Sequence, residues 1–297
     1  MKKSLVMFSV LLIVGVSIFA NAQKKVVGYY PSWSKASYPH TSIQFQHLTH
    51  IAHAFIFPYA DGSLDYTGFS LYPELNTAAH QHGVKVVISV GGWDDVRTPR
   101  FSQMAADTSA RKKFVSAIIQ FILTNSYDGV DLDWEYPKTA ADRTNMKLLV
   151  HELRIALDAT GKQLALAMAG PATGWSGQWF DLESMKNDFD WIGMMTYDFY
   201  GAWTSKAGHN SALYGTSAKN TEGWVDYSFT YYNTTRGVPK EKLLIGIPFY
   251  GQVFSASSLY GTSTGGLQST YTNIAPKITS GWTRYWDSEA QVPYLIN

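Results

Sequence analysis

The chemistry of this chain is concentrated in Asp128-Gly129-Val130-Asp131-Leu132-Asp133-Trp134-Glu135-Tyr136-Pro137. Successive side chains on a β-strand point to opposite faces. Asp131, Asp133 and Glu135 therefore share one face, and Val130, Leu132 and Trp134 share the other. The apolar trio demands burial, so this strand does not lie free on a surface. Three carboxyls about 6–7 Å apart along one strand are costly in a low-dielectric interior, and like charges push at least one pKa upward. A carboxyl that keeps its proton near neutral pH is what a general acid requires. Clustered carboxylates also suit a hard cation, but no further Asp, Glu or His joins them at ligand spacing. Acid–base chemistry is the preferred reading, with no metal expected. Pro137 cannot continue a ladder and marks the exit into a loop. Asp128, off the inward face by parity, is read as supporting the start of the strand.

The elements that must position these acids recur along the chain. Short apolar runs at Lys25–Tyr30, Leu48–Phe57, Val84–Val90, Gly129–Glu135, Gln163–Met168, Trp191–Tyr197 and Leu243–Tyr250 read as strands. Amphipathic stretches such as Ala110–Thr124 and Arg143–Ala159 lie between them with apolar residues at helical spacing. Continuous apolar strands alternating with helices indicate a parallel sheet covered by helices. Seven of them in one uninterrupted α/β domain predict a (β/α)8 TIM barrel rather than a doubly wound sheet. Active sites in such barrels sit at the C-terminal ends of the strands, which is where Glu135 falls.

Composition narrows the class. The formal charge of +1 over 297 residues gives no electrostatic footprint for nucleic acid. Lys2 and Lys3 precede an uncharged apolar run from Leu5 to Phe19, and Ala20-Asn21-Ala22 offers a small-x-small cleavage pattern. A signal peptide over residues 1–22 is expected, followed by one domain over 23–297. The run is short for a helix crossing roughly 30 Å of hydrocarbon, so secretion rather than membrane insertion is predicted. With no cysteine, an exported chain of this kind folds without disulfides. Aromatic residues make up 15% of the chain, which suits either core packing or the stacking of sugar faces.

The ten-residue segment closely resembles the D-x-x-D-x-D-x-E signature on the fourth barrel strand of family 18 glycoside hydrolases, the chitinases and their relatives. Other segments match the same family in order: Val26-Val27-Gly28-Tyr29-Tyr30-Pro31-Ser32-Trp33 resembles its first strand and Ala54-Phe55 its second. Ser89-Val90-Gly91-Gly92-Trp93 resembles its S-x-G-G motif, Met195-Thr196-Tyr197-Asp198-Phe199 its sixth strand, and Gly246-Ile247-Pro248-Phe249-Tyr250-Gly251 its seventh.

The resemblance implies retaining hydrolysis of β-1,4-linked N-acetylglucosamine polymers in which the substrate's own 2-acetamido group replaces a protein nucleophile. Glu135 would protonate the glycosidic oxygen and later activate water. Asp133 would orient the acetamido group, Asp131 would share a proton with Asp133 from below, and Tyr197 would bond the acetamido carbonyl. Tyr29, Phe55, Trp93, Tyr136, Met195, Asp198, Trp203 and Tyr250 would contact sugar. Ser89, Gly91 and Gly92 are read instead as shaping the barrel floor. The implied partners are chitin or its oligosaccharides, with no cofactor, and a monomer is expected.

Two features depart from the family pattern. Gln252 stands where relatives often carry Arg, and no counterpart of an eighth strand follows strand seven. Residues 254–297 resemble part of a small α+β insertion, so the barrel is expected to be incomplete in this chain. Alternative activities are an endo-β-N-acetylglucosaminidase or peptidoglycan glucosaminidase, and, outside catalysis, a chitin-binding lectin on the same scaffold. His47, His50 and His53 are not expected to converge on a metal, because their spacing alternates strand faces.

Overall fold

The computed structural model describes residues 24–216 and 223–297, so the signal peptide expected over 1–22 lies outside the described residues. The strands are β1 (Val27–Pro31), β2 (His50–Pro58), β3 (Leu64–Asp65), β4 (Lys85–Gly91), β5 (Gly129–Asp133), β6 (Ala165–Pro171), β7 (Trp191–Met195), β8 (Leu243–Ile245), β9 (Tyr250–Ala256), β10 (Ser263–Thr270), β11 (Thr283–Asp287) and β12 (Val292–Ile296). The helices are α1 (Pro73–Gln81), α2 (Pro99–Ala106), α3 (Thr108–Thr124), α4 (Ala140–Ala159), α5 (Gly174–Gly177), α6 (Leu182–Met185), α7 (Val225–Thr230) and α8 (Tyr271–Ile274). Strands β1, β2, β4, β5, β6, β7 and β8 pair in that order, every pair parallel. This is the curled sheet of a (β/α)8 barrel, with β3 added antiparallel to β2. Beyond β8 come two antiparallel hairpins, β9–β10 and β11–β12, with α8 between them.

Side-chain parity sorts the sheet into two layers. Val86, Ile88, Val90, Val130, Leu132, Leu166, Met168, Ile192 and Met194 pack outward in one cluster with Phe114, Ile118, Leu149 and Leu153 of the helices. The inward layer is small: Ala52, Val87 and Ala167 gather around Trp191. Small residues there leave space inside the sheet for polar side chains above them. Helix starts carry their own signals. Asp107 accepts from the Ala110 N–H at 2.7 Å, and Thr139 accepts from the Asp142 N–H at 3.0 Å, satisfying donors that a first turn leaves unpaired.

Several sequence boundaries need correction. Strand β5 ends at Asp133, so Glu135 stands two residues past it rather than within it, and β7 ends at Met195 before Tyr197. The expected strand Leu243–Tyr250 is split into β8 and the first residue of β9; Pro248 between them lacks an N–H for a ladder. The three histidines diverge. His53 is buried with Nδ1 2.8 Å from the Tyr127 hydroxyl, His50 packs against Trp191, and His47 sits in a 3-10 turn before β2. Among the described residues no helix is long and apolar enough to cross a membrane.

Candidate active site

Strand β5 aims the acids by anchoring their neighbours. Trp134 is fully buried and stacks on Phe101 of α2, ring centroids 5.3 Å apart. With that face held against the helices, Asp131 and Asp133 turn inward, where they are 2% and 4% exposed. Asp131 Oδ2 accepts hydrogen bonds from the hydroxyls of Tyr29 on β1 and Ser89 on β4, each at 2.8 Å. Ser89 is also the register partner of Asp131 across the parallel ladder. Ser89 thus does more than shape the floor: it donates to the lowest acid of the site.

Gly91 faces Asp133 in the same ladder. It has φ +124°, and a Cβ there would come within 1.9 Å of the Asp133 carbonyl oxygen, so only glycine fits. The next residue, Gly92, donates its N–H to that carbonyl at 2.8 Å. The S-x-G-G segment is therefore a backbone cradle for β5.

Burial governs the titration of the cluster. It raises Asp131 to about 6, against the lowering effect of its bonds from Tyr29 and Ser89. Asp133 is pushed well above the usual carboxylate range by burial first, then by the charges of Glu135 and Asp131. Glu135 is raised by burial and by the charge of Asp198, while the adjacent Tyr136 phenol opposes the shift. Oδ1 of Asp131 and Oδ1 of Asp133 are both buried without a partner among the described residues. A buried acceptor left unpaired is costly, which adds to the pressure on these two acids to hold a proton.

This arrangement fixes the sign of a stability effect. The folded pKa of Asp131, about 6, exceeds its ordinary unfolded value near 3.9. The native state then binds more protons between those values, so stability is highest below pH ~4 for this group and falls as pH rises to about 6. The cost amounts to about 3 kcal/mol once both states are ionised. Denaturant unfolding of wild type and Asp131→Asn from pH 4 to 7 is expected to show a smaller decline in the variant. An unchanged slope would refute the assignment.

Above the acids, Tyr197 follows β7 and its phenol is held well above its ordinary range, by burial first and then by Asp133, Glu135, Asp198 and Asp131. All four carboxyls therefore act on one hydroxyl. Asp198 has φ +57°, and its N–H donates to Asn210 Oδ1 at 2.9 Å. Its carboxylate accepts from the Tyr250 hydroxyl at 2.7 Å and from Gln252 Nε2 at 3.0 Å.

Of the residues expected to contact sugar, the structure brings Tyr29, Tyr136, Asp198 and Tyr250 to the acids. Met195 is buried at the end of β7. Phe55 packs against Trp33, centroids 6.3 Å apart, and borders Gly92. Trp93 is 67% exposed and meets Tyr136 edge-on at 6.4 Å. Both line a cleft of about 310 Å³ that reaches Glu135 and includes Asp95, Gln103 and Lys138. Trp203 lies over Gly201 with its ring exposed, and no contact joins it to the acids among the described residues. Asp128 accepts from the Val86 N–H and pairs with His80, both at 2.7 Å, a supporting position at the foot of β5. A larger concavity of about 560 Å³ between α1 and the end of α3 contains none of the acids. Convergence of carboxyls, not size, marks the site.

Sequence reasoning missed the roles of Asn210, Ser89 and Gln252. The alternation of Tyr250 and Gln252 along β9, two residues apart and hence on one face, was the available signal for the last of these.

Comparison with known proteins gives a consistent picture. The family described as glycosyl hydrolases family 18 matches residues 25–297. The chain is similar to the "Probable endochitinase" of Caenorhabditis elegans, 39% identical over 263 residues, which cover 80% of this chain and 42% of that protein. It spans less than half the length of the first curated relatives it matches. Its fold is similar to a variant of the second catalytic domain of the Ostrinia furnacalis Group II chitinase, solved with penta-N-acetylchitooctaose. That match has TM-score 0.83 and 29% identity, covering 92% of this chain and 81% of the other. It is also similar to a family 18 N-acetylglucosaminidase from Paenibacillus barengoltzii, with TM-score 0.82, 28% identity and coverage of 92% and 85%.

Proposed function

The chain belongs to glycosyl hydrolase family 18, and from that premise we propose that it hydrolyses β-1,4-linked N-acetylglucosamine polymers with retention of anomeric configuration. The observation that carries this reading is the stack of Asp131, Asp133 and Glu135 at the C-terminal end of β5, beneath the Tyr197 phenol. Glu135, its proton held by burial, donates to the glycosidic oxygen and then takes a proton from the incoming water. The 2-acetamido oxygen attacks the anomeric carbon as the bond to the leaving sugar breaks, giving a cyclic oxazolinium ion that water opens. Asp133 bonds the acetamido N–H and balances the positive charge that develops, with Asp131 holding the shared proton below. The Tyr197 hydroxyl donates to the acetamido carbonyl. Asp198, both of whose oxygens already accept hydrogen bonds, is poorly placed as a protein nucleophile, which favours the substrate-assisted route. Trp93, Tyr29 and Tyr250 offer ring faces to the sugars, and Phe55, Met195 and Trp203 complete the proposed contacts. Secretion after removal of residues 1–22 and action as a monomer belong to the same proposal.

Hydrolysis of chitotetraose, with the anomer of the fresh product read by NMR, tests this directly. Initial release of the β-anomer is expected, and an α-anomer would overturn substrate-assisted retention. Likeness to the Paenibacillus barengoltzii enzyme favours a second reading, cleavage of smaller N-acetylglucosamine conjugates. Parallel assays on an N-glycan core and on peptidoglycan separate the two.

A further inference from the structure

Asp198 is clamped by three residues that come from two distant segments. Asn210 accepts its N–H through Oδ1, and the same amide donates from Nδ2 to the Tyr250 carbonyl at 3.1 Å. Tyr250 and Gln252, on one face of β9, then supply one donor to each carboxylate oxygen. Every donor in this clamp is neutral. The groups that face Asp198 and Glu135 are Tyr197 after β7, Tyr136 and Asp133 at β5, and Tyr250 on β9. Among the described residues no Lys, Arg or His forms an ion pair with Asp131, Asp133, Glu135 or Asp198.

We infer that Gln252 is a positioning residue that holds Asp198 in place as a carboxylate whose charge is left uncompensated in front of Glu135. An amide suits that task because it donates a hydrogen bond without bringing a charge. A cation at the same place would orient Asp198 equally well but would cancel its field. Asp198 acts on Glu135 through space, and its negative charge disfavours ionisation of the acid. Gln252 therefore sets how far into the alkaline range Glu135 keeps the proton it must deliver. The inference rests on the proposed hydrolysis for its consequence in turnover, but not for the titration itself.

The test compares wild type with Gln252→Arg, Gln252→Glu and Gln252→Met. An opposite charge within a few ångströms lowers a carboxyl's pKa by about 1–3 units, and a charge at residue 252 stands behind Asp198, so a smaller shift of roughly half to one pH unit is expected. Gln252→Arg is expected to move the alkaline limb of kcat/KM on chitotetraose down by about that amount. Gln252→Glu is expected to move it up. Gln252→Met removes the donor but adds no charge, so it should raise KM and leave the limb within about 0.3 unit of wild type. A second readout needs no turnover: the Glu135 carboxyl, followed by carbon-13 NMR in protein labelled at glutamate, should titrate in the same order. Coincident Glu135 titrations in the Arg and Glu variants would overturn the role of Gln252, whatever the activity. A wild type that titrates as expected yet cleaves none of the three glycan classes would overturn the proposed function instead.

Discussion

Glu135→Gln is expected to lower kcat on chitotetraose by roughly 10² to 10⁴ while oligosaccharide binding survives. The side chain keeps its size and its place beside Tyr136, but an amide has no proton to transfer at these pH values. No neighbour can take over. Asp133 is more deeply buried, and Asp198 is tied on both oxygens. Measuring kcat together with the Kd of chitotetraose by calorimetry separates the two effects. Retained turnover would remove Glu135 from its assigned role, and loss of binding along with turnover would point to structural damage. The wild-type profile follows from the same geometry. As the proposed acid Glu135 must be protonated to act, so activity is expected to fall as pH rises through its raised pKa, rather than through the ordinary carboxylate range.

Asp133→Asn is expected to separate activity from stability. In the proposed mechanism its carboxyl balances a positive charge that exists only as the acetamido group closes on the anomeric carbon. Losing such preorganised electrostatic stabilisation typically costs about 10² to 10³ in kcat. In the resting protein the same carboxyl is a liability, buried between Glu135 and Asp131 with one oxygen unpaired. A native pKa raised above the unfolded one means that stability is lost as pH rises from the unfolded value through the folded one. Asparagine avoids that loss, so the variant should match wild type near pH 4 and become the more stable protein at higher pH. Thermal unfolding across that range, set beside kcat, checks both halves. A variant that is both inactive and less stable at neutral pH would mean that Asp133 is a structural group rather than a strained catalytic one.

A stretch of ten residues and the alternation of strands with helices were enough to read the barrel and its acids, because both depend on short-range geometry. The two-residue repeat of a strand decides which side chains share a face, and the apolar partners Val130, Leu132 and Trp134 decide which face is buried. That logic put Asp131 and Asp133 on the inward face of β5 and His50 and His53 on opposite faces of β2. The ends of the strands were less legible. Glu135 and Tyr197 lie just beyond β5 and β7, since a ladder stops where the neighbouring strand stops, and one segment carries no record of its neighbour's length. Contacts across the sheet lay further out of reach. Ser89 meets Asp131 because β4 and β5 pair in one register. Gly91 must be glycine because the Asp133 carbonyl lies against it. Gln252 reaches Asp198 from 54 residues away because the chain leaves β8 and returns over the barrel mouth as β9. The types and spacing of the acids are properties of one short segment. Their charges, and the partners that tune them, come from segments that only folding brings within a few ångströms, where burial and Coulomb energy take hold.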